Sequence, residues 1–501
     1  MSAESSLVRF GGEIATGEDG MEVESRGYRS EQRKWVGGRG GAWLREVGPV
    51  LWVRQWIRRL ELANGSFSGL RSGELRQVEN EREPVAGVLV HRELRHSRGE
   101  LVEYLGFEQL STHTRYEAGF AGFGGYERST MTTQIPGGVL MNAGLITSLV
   151  VFLLAIDWSL WRNAKLPLEP FYFSRPFLIS AALSGFAGWL YIPIADKMKI
   201  HQILREEGPR THSSKKGTPT MGGLFFIPIG IAVASQMSNY KYSWLVSGSI
   251  LATLAFAGIG LIDDLLSCIK GHNYGLPGWI KFSLQVAVGA CFSFWLDSVH
   301  TSMPYDMKLS VHLPQPFGLV YLGKYYLALT TFCFASMANG VNLTDGLDGL
   351  AGGVAAWAFI GMSIAILAIS PDLAVLGASM AGACVGFLFH NRYKASIFMG
   401  DTGSLGLGGA LATMACCTGM FLPLFISSGV FVMEVLSVIC QVLFMKVTRK
   451  LFGVRRRIFR MSPIHHHFEL CGHKEPVIVA SAYFISCILA LIAGYIGIIS
   501  T

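Results

Sequence analysis

The chain has 501 residues, of which 50% are hydrophobic and only 15% are charged. A soluble domain carries about a quarter charged residues, so this composition excludes an ordinary soluble globular protein. The formal net charge is +7, but beyond residue 137 the basic residues cluster in a few loops between apolar segments. Membrane topology alone predicts that clustering, so we expect no nucleic-acid partner.

The first 137 residues differ in composition from the rest. They contain nineteen acidic and eighteen basic residues, seventeen of the latter being arginine, and no apolar stretch of signal-peptide length near Met1. The arginine bias is typical of an organellar transit peptide, whereas the acidic residues are not. We expect 1–137 to be an N-terminal extension, targeting or disordered, that catalysis does not need. A small accessory domain or an error in the gene model is the alternative.

Apolar segments of membrane-spanning length make up most of the remaining chain, 138–501. Asn142 and Asp157 interrupt the first of them, which leaves an interfacial helix as an alternative to a crossing. The sequence therefore predicts an all-α polytopic membrane protein with ten transmembrane helices, or eleven if the first segment crosses. The segments are 138–161, 176–196, 220–236, 243–262, 278–297, 324–340, 350–370, 372–390, 403–420, 422–445 and 477–499.

The loops between the ten crossings from 176 onward fall into two alternating sets. One set contains seventeen Lys and Arg residues and the other contains two. The positive-inside rule places the basic set in the cytoplasm, or in the equivalent stroma of an organelle. Every polar motif lies in this basic set, so we expect a single active-site cleft on that face, built by loops on a helical scaffold.

Three of these loops contain aspartates. Asp263 and Asp264 directly follow an apolar run, Asp345 and Asp348 lie in a glycine-rich turn, and Asp401 opens an Asp-Thr-Gly-Ser motif. Adjacent carboxylates at a membrane boundary are costly unless a cation or a metal pairs with them. The respective alternatives are a solvated helix end, a structural turn and a helix cap.

The other two motif loops are basic. One contains Lys215-Lys-Gly-Thr-Pro-Thr220 before a helix start, which suits a phosphate, although a plain basic loop remains the alternative. The other contains several arginines followed by His465, His466 and His467. Consecutive histidines do not easily converge on one tetrahedral zinc ion, so substrate contacts are favoured over zinc.

Carboxylates and cations on one membrane face together indicate phosphoryl transfer. Mg²⁺ typically joins one or two carboxylates to substrate phosphates, and such transfer depends mostly on positioning and charge neutralisation. A site at the membrane boundary suggests one lipid substrate and one soluble substrate. A transporter is the alternative from another class, because transporters place ionisable groups mid-membrane. Glu434, inside an apolar segment, is the main group that would fit it.

These motifs together resemble the phospho-N-acetylmuramoyl-pentapeptide transferases, the translocase I family of peptidoglycan synthesis within the polyprenyl-phosphate N-acetylhexosamine-1-phosphate transferase superfamily. The resemblance covers about 176–499 and rests on Lys-x-Gly-Thr-Pro-Thr-Met-Gly-Gly, the Asp-Asp pair, Asn-Leu-Thr-Asp-Gly-Leu-Asp-Gly, Phe-Met-Gly-Asp-Thr-Gly-Ser and Pro-Ile-His-His-His-Phe-Glu. It implies ten transmembrane helices, a cytoplasmic cleft, a Mg²⁺ site, and transfer from UDP-N-acetylmuramoyl-pentapeptide to polyprenyl phosphate, giving lipid I and UMP. A UDP-N-acetylglucosamine:polyprenyl-phosphate transferase is the alternative, disfavoured by the triple histidine.

The resemblance also implies roles for individual residues. Asp401 would be the principal Mg²⁺ ligand with Asp345 beside it, and Asp263 and Asp264 would handle the lipid phosphate. Two positions depart from the family pattern: Ser267 replaces a usual lysine, and Lys394 a usual proline. The implied substrate-binding residues are Lys215, Thr220, Lys281, Asn342, Asp345, Asp348, Asn391, His465, His466 and His467.

The long N-terminal extension resembles that of the plant members, which act in plastids. This implies a chloroplast membrane with the active site facing the stroma, and a bacterial-type plasma membrane is the alternative. A homodimer is left open.

Overall fold

A computed structural model describes much of the chain beyond residue 136. The described parts are residues 137–163, 171–201, 215, 217–238, 243–270, 275–299 and 309–501. Apart from Gly137, the predicted N-terminal extension lies outside the described residues.

The described residues form thirteen helices and one antiparallel hairpin. The hairpin, with Val311 opposite Val320, lies in a segment for which the sequence predicted only a loop. The elements are α1 Gly137–Asn163, α2 Ser174–Lys197, α3 Gly223–Met237, α4 Trp244–Lys270, α5 Gly278–Val299, β1 Ser310–His312, β2 Leu319–Tyr321, α6 Lys324–Thr344, α7 Leu350–Ile366, α8 Pro371–Asn391, α9 Gly400–Thr418, α10 Phe421–Ser427, α11 Gly429–Phe452, α12 Ile464–Leu470 and α13 Glu475–Ser500.

Seven of these helices are long and apolar enough to cross a membrane: α1, α2, α4, α5, α8, α11 and α13. The apolar helices α3 and α7 are shorter, and α6 and α9 include the polar motifs. The predicted all-α polytopic membrane protein is thus confirmed. One predicted segment, 422–445, is divided, because the chain turns at Ser428 between α10 and α11.

The polar residues of the first apolar segment are satisfied by partners in the protein. Asn142 donates a hydrogen bond of 3.2 Å to the Leu388 carbonyl. The Asp157 carboxylate accepts bonds of 2.9 and 2.8 Å from the backbone N–H groups of Phe173 and Ser174, at the start of α2. Buried polar groups are costly only when they lack partners. With 27 residues, α1 is roughly 40 Å long, which exceeds the roughly 30 Å hydrocarbon core and favours eleven helices over ten.

The centre of the bundle consists of α7, α8 and α9, which are buried on nearly every side. Helices that are apolar all round belong in the interior of a membrane bundle. Glycines allow neighbouring helices to approach closely: a Cβ on Gly260 of α4 would overlap the Asp401 backbone of α9. This approach brings the acidic end of α4 against the start of α9.

The loops of the two membrane faces should react differently with an impermeant thiol reagent. Lys394 and Arg457 lie in the motif loops and are exposed, whereas Phe317, 73% exposed, lies at the hairpin turn. We expect Lys394→Cys and Arg457→Cys, in a Cys471→Ser background, to be labelled from one side of sealed vesicles and Phe317→Cys from the other. Labelling of all three from the same side would contradict the single-face arrangement.

Candidate active site

The Asp401 carboxylate is the meeting point of four helices. It lies in the first turn of α9 and accepts a hydrogen bond from the Lys281 ammonium of α5 and one of 2.7 Å from the Asn342 amide of α6. The Lys281 ammonium also lies 3.4 Å from the Asp263 carboxylate of α4. The structure therefore brings together four of the predicted site residues in one partly buried charged cluster.

Asp264 caps helix α9 from a neighbouring helix. Its carboxylate accepts hydrogen bonds of 3.0 Å from the Asp401 backbone N–H, 2.9 Å from the Thr402 N–H and 2.7 Å from the Thr402 hydroxyl. The first N–H groups of a helix lack intrahelical partners, and a carboxylate stabilises that positive end. The alternative of Asp401 as the cap is therefore wrong, because Asp264 supplies the cap.

Gly400 makes room for this cap. Its φ of +73° is a conformation that side chains rarely adopt. A Cβ at this position would also lie 2.7 Å from the Asp264 carboxylate. Glycine is therefore required before Asp401 for a structural reason, because it lets the Asp264 carboxylate of α4 reach the start of α9.

Asp263 has a different environment from its neighbour. One of its carboxylate oxygens accepts a hydrogen bond of 2.8 Å from the Leu276 backbone N–H, and the other faces Lys281. Only the oxygen beside Lys281 faces the charged cluster. The two adjacent carboxylates, which the sequence could not distinguish, therefore have different structural roles.

Asp345 directly follows α6 and lies close to several other carboxylates. Burial, followed by the negative charges of Asp401, Asp264 and Asp348, raises the pKa of Asp345. The Lys215 ammonium partly opposes these effects, and the resulting pKa is about 8. Negative charge exceeds positive charge at this point, so a bound cation would be favoured here.

The chemistry of these donors fits Mg²⁺. Carboxylate oxygens are its preferred protein ligands, and Asp401 and Asp345 are the side chains that would hold it. No three carboxylate, imidazole or thiol groups converge into a preformed metal site among the residues that the structure describes. Mg²⁺ usually keeps several waters and takes further ligands from substrate phosphates, so one or two protein carboxylates are enough to hold it.

Lys215 forms a second charged cluster. Its ammonium lies 2.8 Å from Asp348 and 2.6 Å from Glu475, the first residue of α13. Burial lowers the pKa of Lys215, but the two carboxylates raise it more, so the net shift is upward. Glu475 also accepts a 2.6 Å hydrogen bond from the Asp348 backbone N–H, and Asp348 accepts one of 3.0 Å from the Ala395 N–H. These contacts connect three motif loops to the last helix.

Sequence reasoning missed Glu475. An acidic residue at the start of a helix is common because it complements the helix dipole, so Glu475-Pro476 gave no distinct signal. Its contacts with Lys215 and Asp348 come only from the way α13 packs against the motif loops.

Replacing Glu475 should weaken substrate binding. Glu475→Gln keeps the shape but removes one of the two negative charges beside Lys215, so we expect the KM for the soluble substrate to rise roughly tenfold, about 1.4 kcal/mol, with kcat changed less. Steady-state kinetics would measure this. Asp372→Asn is the matched control, in the first turn of α8, and should leave both constants unchanged. Equal constants for Glu475→Gln and wild type would contradict the prediction.

Asn391 and Thr220 are two predicted substrate-binding residues that are buried. The Asn391 side chain is buried, accepting a hydrogen bond of 2.9 Å from the Gly349 N–H and donating one of 2.8 Å to the Ile397 carbonyl. Thr220 is also buried, and its backbone N–H bonds to Ile200. The structure thus gives Asn391 a structural role at the end of α8. A substrate contact of Asn391 or of Thr220 stays a prediction.

The three histidines have three different surroundings on α12. His465 is buried, with Nδ1 3.2 Å from a Glu434 carboxylate oxygen. His466 Nδ1 lies 2.7 Å from Glu469, and His467 Nδ1 accepts a 3.2 Å bond from a backbone N–H seven residues earlier. Each histidine therefore has its own partner, and the His465 and His466 rings pack against each other with their centroids 4.1 Å apart. Substrate contacts of the three histidines stay a prediction.

Comparison with known proteins identifies the family. The phospho-N-acetylmuramoyl-pentapeptide-transferase signature 1 matches residues 215–227, and the model of glycosyl transferase family 4 matches residues 246–419. A phospho-N-acetylmuramoyl-pentapeptide-transferase of Trichormus variabilis is 39% identical over 355 residues, 71% of this chain and 94% of that protein. The chain belongs to the phospho-N-acetylmuramoyl-pentapeptide-transferase family. An enzyme of the same name from Synechococcus sp. is 42% identical over 362 residues, covering 71% of this chain and 96% of that protein.

Both matched segments contain residues of the charged clusters. The transferase signature covers Lys215 and Thr220, and the glycosyl transferase family 4 match runs from within α4 to the end of α9, so it includes Asp263 and Asp401. Membership of a transferase family argues against the transporter alternative. Glu434, the residue that favoured a transporter, contacts His465 instead of lining a pathway of ionisable groups.

Proposed function

We propose that this chain transfers phospho-N-acetylmuramoyl-pentapeptide from its uridine diphosphate carrier to a membrane polyprenyl phosphate. The products are lipid I and UMP. The observation that carries the proposal is the convergence of Asp263, Lys281, Asn342 and Asp401 from four helices, in a chain of this transferase family. The ends of membrane helices are where a lipid phosphate and a soluble nucleotide can meet.

The acceptor phosphate would bind beside Lys281 and Asp263. An oxygen of the polyprenyl phosphate attacks the β-phosphorus of the nucleotide, and the bond from that phosphorus to the oxygen bridging to the α-phosphate breaks. Lys281 neutralises charge on the phosphates, and Asp263 orients the attacking phosphate or accepts its proton. Asp264 is the weaker candidate for this role because all three of its contacts hold α9 in place.

Mg²⁺ held by Asp401 and Asp345 would supply charge neutralisation of the diphosphate. Asn342 fixes the Asp401 carboxylate by its 2.7 Å hydrogen bond and so keeps one oxygen at a defined position. Such fixed ligands are useful in phosphoryl transfer, in which catalysis comes mostly from positioning and electrostatics.

The nucleotide sugar would bind between the Lys215 cluster and the triple histidine. Asp345 lies near both, since Lys215 acts on its charge and a Cβ on the adjacent Gly346 would overlap His465 Nε2. In this proposal Lys215, Asp348, His466 and His467 contact the uridine or diphosphate part of the substrate.

A release assay tests the proposal. Polyprenyl phosphate and UDP-N-acetylmuramoyl-pentapeptide are added to the purified full-length protein in detergent, and the released UMP is measured. We expect UMP release that stops with a chelator and returns with Mg²⁺. UDP-N-acetylglucosamine is the comparison substrate; equal release from it would favour the alternative transferase, and release unaffected by the chelator would refute the Mg²⁺ requirement.

We also propose that the protein acts in a plastid membrane with its site facing the stroma. The arginine-rich extension and the cyanobacterial origin of the matched relatives support this location. A fluorescent protein fused after residue 137 should enter chloroplasts, and retention in the cytosol would contradict the proposal.

A further inference from the structure

Glu434 is a buried carboxylate within α11, a helix apolar enough to span the membrane. Its exposed fraction is 3%. Ionisable groups inside such helices are costly and are retained where a partner or a function requires them. Glu434 has two partners on α12: one oxygen accepts a 2.8 Å hydrogen bond from the Ile464 N–H, and the other lies 3.2 Å from His465 Nδ1.

Glu434 belongs to a row of polar residues on α11. Glu434, Gln441 and Thr448 recur every seven residues, a spacing that places them on one helix face, and all three are buried. We call these three residues the polar ladder. Buried polar side chains on a helix of this kind require hydrogen-bond partners along the whole row.

The polar ladder binds the chain that returns from α11 toward the histidines. The Thr448 hydroxyl accepts a 3.1 Å hydrogen bond from the Arg456 N–H. The Gln441 side chain accepts bonds of 3.0 Å from the N–H groups of Ile458 and Phe459 and donates one of 3.1 Å to the Phe459 carbonyl. The returning segment is therefore held antiparallel to α11, and Glu434 is the last contact before the triple histidine.

His465 is the residue that this arrangement presents to the site. It is 2% exposed, and neither ring nitrogen makes a hydrogen bond among the described residues: Nδ1 lies 3.2 Å from the Glu434 carboxylate, and Nε2 has no polar partner there. A Cβ on Gly346 would overlap that Nε2 atom, so the ring lies directly on the turn that follows Asp345. Buried polar atoms almost always have partners, and an unpartnered one beside a catalytic cluster indicates a group reserved for a ligand.

We propose that Glu434 is a positioning residue for the transfer reaction, acting through His465. Its carboxylate holds the start of α12 through the Ile464 N–H and lies beside Nδ1, so that Nε2 stays directed at the Asp345–Gly346 turn. This inference rests on the proposed function of the chain. It predicts that Glu434 and His465 work as a unit, whereas Thr448, at the far end of the polar ladder, affects only the returning segment.

A double-mutant cycle tests this unit. UMP release gives kcat and KM for wild type, Glu434→Gln, His465→Ala and the double variant. We expect Glu434→Gln to lower kcat about 10- to 100-fold, the usual loss when a group that orients a functional histidine is removed. The KM for the nucleotide sugar should change less than about threefold. In the His465→Ala background, Glu434→Gln should cost less than about twofold, because coupled residues are not additive.

Controls separate positioning from stability. Thr448→Val removes a contact of the same polar ladder and should keep wild-type kcat. If Glu434→Gln does not yield folded protein, Glu434→Asp replaces it in the cycle. This variant keeps the charge but shortens the side chain, and we expect the same loss of kcat and the same lack of additivity with His465→Ala. If the wild type is active and the kcat losses of the two single variants add up in the double variant, this inference is overturned while the proposed function stands. A wild type that releases no UMP would overturn both this inference and the proposed function.

Discussion

Asp401→Asn is expected to reduce the turnover of UMP release by more than about a thousandfold while the folded membrane protein stays intact. The amide keeps the shape of the carboxylate, but it loses the charge that pairs with Lys281 and that would hold Mg²⁺. Because Asp264 supplies the cap of α9, the substitution leaves that cap in place. The measurements are kcat across a Mg²⁺ titration and the elution profile of the protein in detergent.

Asp297→Asn is the matched control for this substitution. Asp297 lies exposed near the far end of α5, the helix that carries Lys281 at its opposite end, so the same chemical change there should leave kcat unaffected. An Asp401→Asn protein that kept most of its activity and its Mg²⁺ dependence would remove Asp401 from the site.

The gathering of the motif loops in one place could be predicted from the sequence. Basic residues concentrate in alternate loops, and the motifs fall in those same loops. The structure brings residues from three of these loops into contact, for example Lys215 with Asp348 and Glu475. Loop charge and hydrophobic length are local properties of a sequence, and they were sufficient for this level of the fold.

The division of roles between Asp263 and Asp264 could not be predicted from the sequence. It depends on the close approach of α4 to α9, where Gly260 makes room for the Asp401 backbone and Gly400 makes room for the Asp264 carboxylate. Adjacent residues of a helix point about 100° apart, so two identical side chains can face different neighbours. Only the packing of the two helices shows that Asp264 faces the start of α9 and Asp263 faces Lys281.

The polar residues of the apolar segments were misleading for a related reason. Asn142, Asp157 and Glu434 interrupt hydrophobic stretches, which suggested an interfacial helix in one case and a transporter in the other. Each has a partner from another part of the chain. Hydropathy treats each residue by itself, and it therefore overestimates the cost of a polar group that tertiary structure satisfies.

Asp263→Asn and Asp264→Asn should give different phenotypes, the first a loss of kcat and the second mainly a loss of stability. Asparagine at 263 can still accept the hydrogen bond from Leu276, but it loses the charge that faces Lys281. We therefore expect kcat to fall more than about a hundredfold, with little change in thermal stability.

Asparagine at 264 must replace a carboxylate whose two oxygens accept three hydrogen bonds from Asp401 and Thr402. One oxygen becomes an NH₂ group that faces donors, so we expect a loss of roughly 1–3 kcal/mol of stability. Activity should fall as well, because the start of α9 positions Asp401, but a low assay temperature should restore part of it. Unfolding temperature in detergent and kcat at two temperatures would separate the two variants. A stable Asp264→Asn protein that is inactive at every temperature would instead assign the chemistry to Asp264.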